Sequence, residues 1–188
     1  GKAAVVIGGA IMKTIIPILA ATLIATLALA TSASAYNEAD FERFKKTKKC
    51  PNCDLSGVKL RGKKASFYKA DLRGANLSGA DLQKAVFWRA NLEGANLTDA
   101  LLLETNFRYA NLKKVNFTGA DLRRAVLRFA DMQGAQFRGA NLRRAMMVSS
   151  KLQGAKMKKA KLRSARLRDA TWIDGKKCKK RLCGEMRP

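Results

Sequence analysis

From Phe67 to Trp172 every fifth residue is large and apolar, and a small residue stands two positions before each. The large positions are thirteen Leu, five Phe, three Met and one Trp. Nineteen of the twenty-two small positions, Ala65 to Ala170, are Ala; Thr105, Val115 and Ser150 are the others. An unbroken short period predicts a solenoid, in which each unit contacts mainly its stacked neighbours. The period argues for extended chain rather than helix. A step of five residues turns about 140° past a full turn of a 3.6-residue helix, so Leu at this spacing would form no stripe. A short extended step followed by a corner fits, with one small and one large side chain per unit filling a narrow interior.

The blocks Ala-Asp-Leu-Arg-Gly (70–74), Ala-Asn-Leu-Ser-Gly (75–79) and Ala-Asn-Leu-Glu-Gly (90–94) carry the pattern in its plainest form. Their common form, Ala-(Asp/Asn)-Leu-x-x, resembles the pentapeptide-repeat family. The resemblance spans about 120 of the 188 residues. It implies an all-β fold, a right-handed quadrilateral β-helix with four units per coil. Ala and the central residue would point inward and the other three positions outward. Two earlier units, Cys53–Gly57 and Val58–Gly62, share the frame before Lys63 and Lys64 shift its phase. Together the units predict a β-helix over residues 53–174 of about six coils, roughly 29 Å long at ~4.8 Å per coil.

A solenoid leaves open edges at both ends, so capping segments are expected. Tyr36 to Lys49 predicts a short amphipathic helix with Phe41 and Phe44 on one face, within an N-terminal cap over 36–52. Trp172 takes the last inward position, Asp174-Gly175 reads as a turn, and residues 175–188 form a basic C-terminal cap. Each cap carries a cysteine pair, Cys50 with Cys53 and Cys178 with Cys183. Local disulfides are the leading reading; free or redox-active thiols and a metal site are the alternatives. The pairs lie at opposite ends of the rod and the chain has no His, which argues against a shared metal centre.

Residues 1–35 predict export. Met12-Lys13, the apolar run Ile15 to Leu29 and the Ala-x-Ala ending at Ala35 have the layout of a secretory signal peptide, with residues 1–11 upstream of it. A mature chain starting at Tyr36 would be periplasmic or extracellular, which suits paired cysteines. The alternative is a membrane anchor through residues 3–35.

Charge sharpens the picture. The whole chain carries +24. Residues 36–122 hold sixteen basic and ten acidic side chains, net +6, whereas residues 123–188 hold twenty and four, net +16. With four units per coil, positions twenty apart share a face. One face then carries a basic ladder of Lys84, Arg123, Arg124, Arg143, Arg144 and Arg163. The next carries Tyr68, Trp88, Arg89, Arg108, Tyr109, Arg128, Phe129 and Met146, residue types enriched at interfaces. Exposed apolar patches mark binding or self-association sites. Near the end, Lys151, Lys156, Lys161 and Arg166 replace the usual Asp or Asn and form a basic collar. The plainer reading is a solvated charged surface with apolar groups packed under long neighbours.

The sequence offers no catalytic constellation: no His, no glycine-rich phosphate loop, and aspartates at turn positions. No enzyme activity, cofactor, metal or small-molecule substrate is expected. The expected function is an exported structural or binding module. Its aromatic–arginine face would meet a protein partner or a second copy, and its basic ladder an anionic polymer or membrane surface. Nucleic-acid binding is the alternative, because cationic and aromatic residues interleave.

Overall fold

The computed structural model describes residues 36–178; the predicted signal segment, residues 1–35, and Cys183 lie outside the described residues. Each five-residue unit contributes one bridged residue, followed by an inward residue and a two-residue turn. The bridges are parallel and join residues twenty apart: Ser66 to Val86, Asp71 to Asn91, Asn76 to Asn96 and Asp81 to Leu101. Four such ladders run side by side, which makes the architecture a four-sided parallel β-helix. On three bridges the separation is twenty-two: Lys49 to Asp71, Asp54 to Asn76, and Lys59 to Asp81. The extra two residues are Lys63 and Lys64, accommodated at a corner where the Ala65 amide donates to the Gly62 carbonyl at 3.0 Å.

The corners explain the glycines. The Ala70 amide donates to the Phe67 carbonyl at 3.0 Å, and the same i+3 to i bond recurs in unit after unit. The second central residue of each turn has positive φ, the signature of a type II turn. Gly94 meets this requirement at φ 70°, but Lys69, Tyr109, Arg124, Phe129 and Arg144 occupy equivalent corners. A left-handed backbone costs a side-chain-bearing residue about 1–2 kcal/mol. The Asp or Asn at the bridged position offsets part of this. Its Oδ1 accepts the amide two residues on, as from Thr98 to Asn96 at 3.1 Å and from Arg123 to Asp121 at 3.2 Å.

The interior is a set of stacked inward side chains. Nearly every Ala and every Leu, Phe or Met at the inward positions is buried. Where Thr105 and Ser150 replace Ala, each buried hydroxyl donates to a carbonyl, Leu82 at 2.9 Å and Met147 at 2.7 Å. This satisfies a group that would otherwise destabilise the core. Phe67, Phe87 and Phe107 stack with centroids 4.5 and 5.0 Å apart.

Helix α1, Glu38–Thr47, is shorter than the predicted 36–49. Asn37 caps it, accepting from the Asp40 amide at 3.0 Å, and Lys48 ends it in a left-handed conformation. Phe44 is buried and extends the internal Phe stack, 5.2 Å from Phe67. Phe41 is partly buried against the same core and also packs on Tyr36, with ring centroids 5.0 Å apart. The bridged register begins at Lys49, one unit before Cys53. Cys50 fills an inward position there, where the frame calls for Leu, and Cys53 fills the next small one. At the other end the chain turns back on itself. Thr171 pairs antiparallel with Lys177 around a turn at Gly175, and Trp172 is half-buried rather than fully inward. Among the described residues, no helix is long and apolar enough to cross a membrane.

Gly94 isolates the corner requirement, since a Cβ there would meet nothing within 4 Å. Gly94→Ala is therefore expected to lower stability by about 1–2 kcal/mol through the backbone alone, measured by urea denaturation.

Candidate functional site

The aromatic residues lie in two adjoining corner columns, not on a flat face. The first turn residues of successive coils are Tyr68, Trp88, Arg108 and Arg128; the second are Lys69, Arg89, Tyr109 and Phe129. The rings thus occupy one column in the first two coils and the neighbouring column in the next two. Tyr68 and Trp88 lie 5.2 Å apart, and Tyr109 and Phe129 stack at 4.8 Å with planes 7° apart. Cations fill the complementary positions, beginning with Lys69 over Tyr68 at 5.2 Å. Arg89 sits over Trp88 at 5.4 Å and Tyr109 at 5.9 Å, Arg108 over Tyr109 at 5.1 Å and Phe129 at 5.7 Å, and Arg128 over Phe129 at 5.7 Å. The outcome is one interlocked ridge whose rings remain 37–42% exposed. Cation–π contacts fix their orientation. Met146 adjoins the ridge: it lines one groove with Arg128 and Arg166 and another with Val126 and Arg166.

The basic ladder is shorter than its sequence periodicity implies. Lys84 is separated from Arg124 in its corner column by Glu104, which pairs with Arg124 at 3.2 Å. Gln83 and Leu103 likewise precede Arg123 in the adjoining column. Continuous basic columns therefore begin at Arg123 and Arg124 and continue through Arg143, Arg144 and Arg163. Arg123 is held by Asp121 at 2.7 Å, which raises its pKa. Of the collar, Lys151, Lys156, Lys161 and Arg166 are all exposed at bridged positions, one on each side of the coil. Arg166 also lines a groove with Arg124 and Arg144. The sequence separated it from that ladder because a bridged position and a corner position look unrelated until the coil brings them side by side.

Cys50 and Cys53 form a disulfide, and Cys178 is buried and disulfide-bonded. Asp40, Cys50 and Cys53 bring ligand-type atoms within 4.8 Å of one another. Two facts oppose a cation there: the sulfurs are bonded to each other, and the Arg43 guanidinium lies 2.8 Å from Asp40 Oδ1 and 2.7 Å from Cys53 Sγ. The Asp40 carboxylate serves instead as an anchor, accepting from the Asp54 amide at 2.8 Å and tying α1 to the first coils.

A family model for pentapeptide repeats matches eight copies across residues 63–169, more than half of the chain. The chain belongs to the pentapeptide-repeat family. Proteins of this family are in general structural and interaction modules. Among solved structures, the chain is similar to Rfr23, a pentapeptide repeat protein from the cyanobacterium Cyanothece 51142. They share 25% identity over 71% of this chain and 97% of that one, with a TM-score of 0.33. It is similar to HetL, a pentapeptide repeat protein involved in heterocyst differentiation regulation from the cyanobacterium Nostoc sp. strain PCC 7120. Here identity is 22%, coverage 76% and 99%, and TM-score 0.27. It is also similar to QnrB1, a plasmid-mediated fluoroquinolone resistance protein, at 18% identity, 65% and 78% coverage and TM-score 0.34. No curated protein matches significantly.

Within the pentapeptide-repeat helix, one aspartate differs from the rest. Asp81 is 5% exposed. Burial pushes its pKa up, but hydrogen bonds from Arg61, at 2.6 Å from Nε, and from Gln83 outweigh it and hold the carboxyl below its ordinary value of 3.8. A depressed folded-state pKa contributes stability above the ordinary value that is lost as pH falls through the folded one. Asp81→Asn should cost about 1–3 kcal/mol at neutral pH. It should also flatten the loss of stability below about pH 4, both read from urea midpoints. A second prediction concerns the N-terminal disulfide. Replacing Cys50 and Cys53 together by Ser releases a small loop and is expected to lower stability by about 2 kcal/mol in the same assay.

Proposed function

We propose that this pentapeptide-repeat chain is a non-enzymatic, exported interaction scaffold, a rod of about six coils closed at its N-terminal end by α1. Export follows from the signal-like residues 12–35, with the mature protein starting at Tyr36. The scaffold acts through the aromatic–arginine ridge, which meets a protein partner or a second copy of the same chain. The observation that carries this reading is the set of four rings, Tyr68, Trp88, Tyr109 and Phe129, exposed along one ridge and already ordered by their neighbours. Rigid aromatics bury large area on association with little further loss of conformational freedom. Such residues, with Arg, dominate binding energy at interfaces.

The same geometry weighs against nucleic acid on this ridge. Base stacking needs a free ring face. The faces of Tyr109 and Phe129 are taken up by each other and by Arg89, Arg108 and Arg128, so mainly edges remain.

A photo-reactive amino acid placed at residue 88 or 109 should crosslink to protein, with the same group at Thr98, on another side of the coil, as the control. Light scattering then separates the two partner types: a dimer that becomes a monomer in Trp88→Glu identifies a second copy. Crosslinking at 88 and 109 no greater than at 98 would reject the ridge as an interface.

A further inference from the structure

The last complete coil, residues 151–170, concentrates the charge of the rod. It holds eight basic residues and one acidic, against three and one in residues 131–150. Lys151, Lys156, Lys161 and Arg166 occupy its four bridged positions, one per side, and all are exposed. In the preceding coil those positions are Asp131, Gln136, Asn141 and Met146. The corner residues Lys158, Lys159, Arg163 and Arg168 are exposed as well. Among the described residues, only Arg168 of these eight cations has a carboxylate partner, Asp169 at 3.5 Å.

This exchange of residue types costs stability twice. Asp131 and Asn141 accept the amides of Gln133 and Arg143 at 3.3 and 3.4 Å and so ease the corners that follow them. Lys156 and Lys161 offer no acceptor, although Lys159 and Ser164 still turn with φ of 61° and 62°. The four cations also repel one another. The tip of the rod lies one layer further on. Thr171 bridges to Lys151, and the chain reverses at Gly175 to pair Lys177 with Thr171. In this closing turn Trp172 is half-buried and Ile173 is 38% exposed, with Lys176 and Lys177 exposed beside them.

We propose that the C-terminal end of the rod docks end-on against an anionic lipid bilayer, with Trp172 and Ile173 at the interface and the collar just behind them. The placement of the charge selects a plane. The four bridged cations leave the rod on four different sides at one level, so a ligand lying along one side meets only a fraction of them. A plane across the tip lies about one coil spacing, ~4.8 Å, from all four, within the screening length of about 8 Å at physiological salt. Long Lys and Arg side chains reach such a plane while their stems stay against the coil. A Trp and an apolar neighbour ringed by cations suit the headgroup boundary of a bilayer. A second copy brought tip to tip would meet like charge.

The described residues belong to a compact unit that residues 1–34 do not enter, so the test uses the chain from Tyr36. Its binding is compared on vesicles of phosphatidylglycerol mixed with phosphatidylcholine and on phosphatidylcholine alone, at about 0.1 M salt. Lys151→Asn, Lys156→Asn and Lys161→Asn each restore a residue type of their own column, as at Asn111, Asn116 and Asn141, so urea midpoints should not fall. Each is expected to weaken binding to the anionic vesicles about fivefold, whichever side it lies on. Lys113→Gln with Lys114→Gly takes the residue types of Gln133 and Gly134 in the same columns, two coils further from the tip, and should lose less than any collar variant. Trp88→Phe leaves Trp172 as the single tryptophan, and lipids brominated near the headgroup end of their acyl chains should quench it. Equal binding to phosphatidylcholine alone, loss confined to one of the three collar variants, or an unquenched Trp172 in bound protein would overturn the proposal. A single-stranded oligodeoxynucleotide that binds the collar and displaces the vesicles without quenchable contact at Trp172 would replace the bilayer with a polyanion wrapped around the coil.

Discussion

The width of the interior is the constraint on which everything else in this chain depends. Each side of a coil has room for one small and one large inward side chain, and the chain must turn a corner immediately afterwards. Hydrophobic burial and the hydrogen bonds between successive coils enforce that geometry together. Leu supplies most of the large positions, Phe stacks where it recurs in register, and hydroxyls enter the core only where a carbonyl can accept from them. The corner then dictates a left-handed residue in every unit. That requirement, rather than flexibility, accounts for the recurrent glycines.

Because the core uses only two positions in five, the other three are largely free to define surfaces. The twenty-residue register converts sequence neighbours into separate faces and distant residues into contiguous columns. Tyr68 and Trp88 become ring partners in this way, as do Tyr109 and Phe129. The same register gathers Arg123, Arg143 and Arg163 beside Arg124 and Arg144. The aromatic ridge thus runs along the earlier coils and adjoins the cationic surface of the later ones at Arg128, Met146 and Arg166.

The periodicity makes the solenoid, the inward residues and the phase shift at Lys63-Lys64 legible in the sequence, since packing acts directly on those positions. The first unit was hidden because Cys50 stands in a Leu position and Lys48 serves as a helix cap. Column membership was legible for Trp88 or Arg143, but not lateral contact between columns. Whether Arg166 faces Arg144, or Met146 joins the aromatic ridge, depends on how far side chains reach across a corner. A repeat pattern carries no information on that reach. The interruption by Glu104 was visible in the sequence, yet its weight emerges only when it is found paired with Arg124.

The fixed count of residues per coil has a consequence for how such a chain can change in length. Loss or gain of one five-residue unit would leave the core intact but swing everything beyond it a quarter turn about the rod axis. The aromatic ridge and the arginine grooves would then point in different directions, although every local contact survived. Insertions or deletions of twenty residues preserve the angle between them and alter only their distance. The two extra residues at Lys63-Lys64 show the third option, a local bulge that adds neither angle nor length to the coils beyond it. Relative bearing of the two surfaces is thus encoded as a number of residues modulo twenty, a quantity on which selection can act independently of stability.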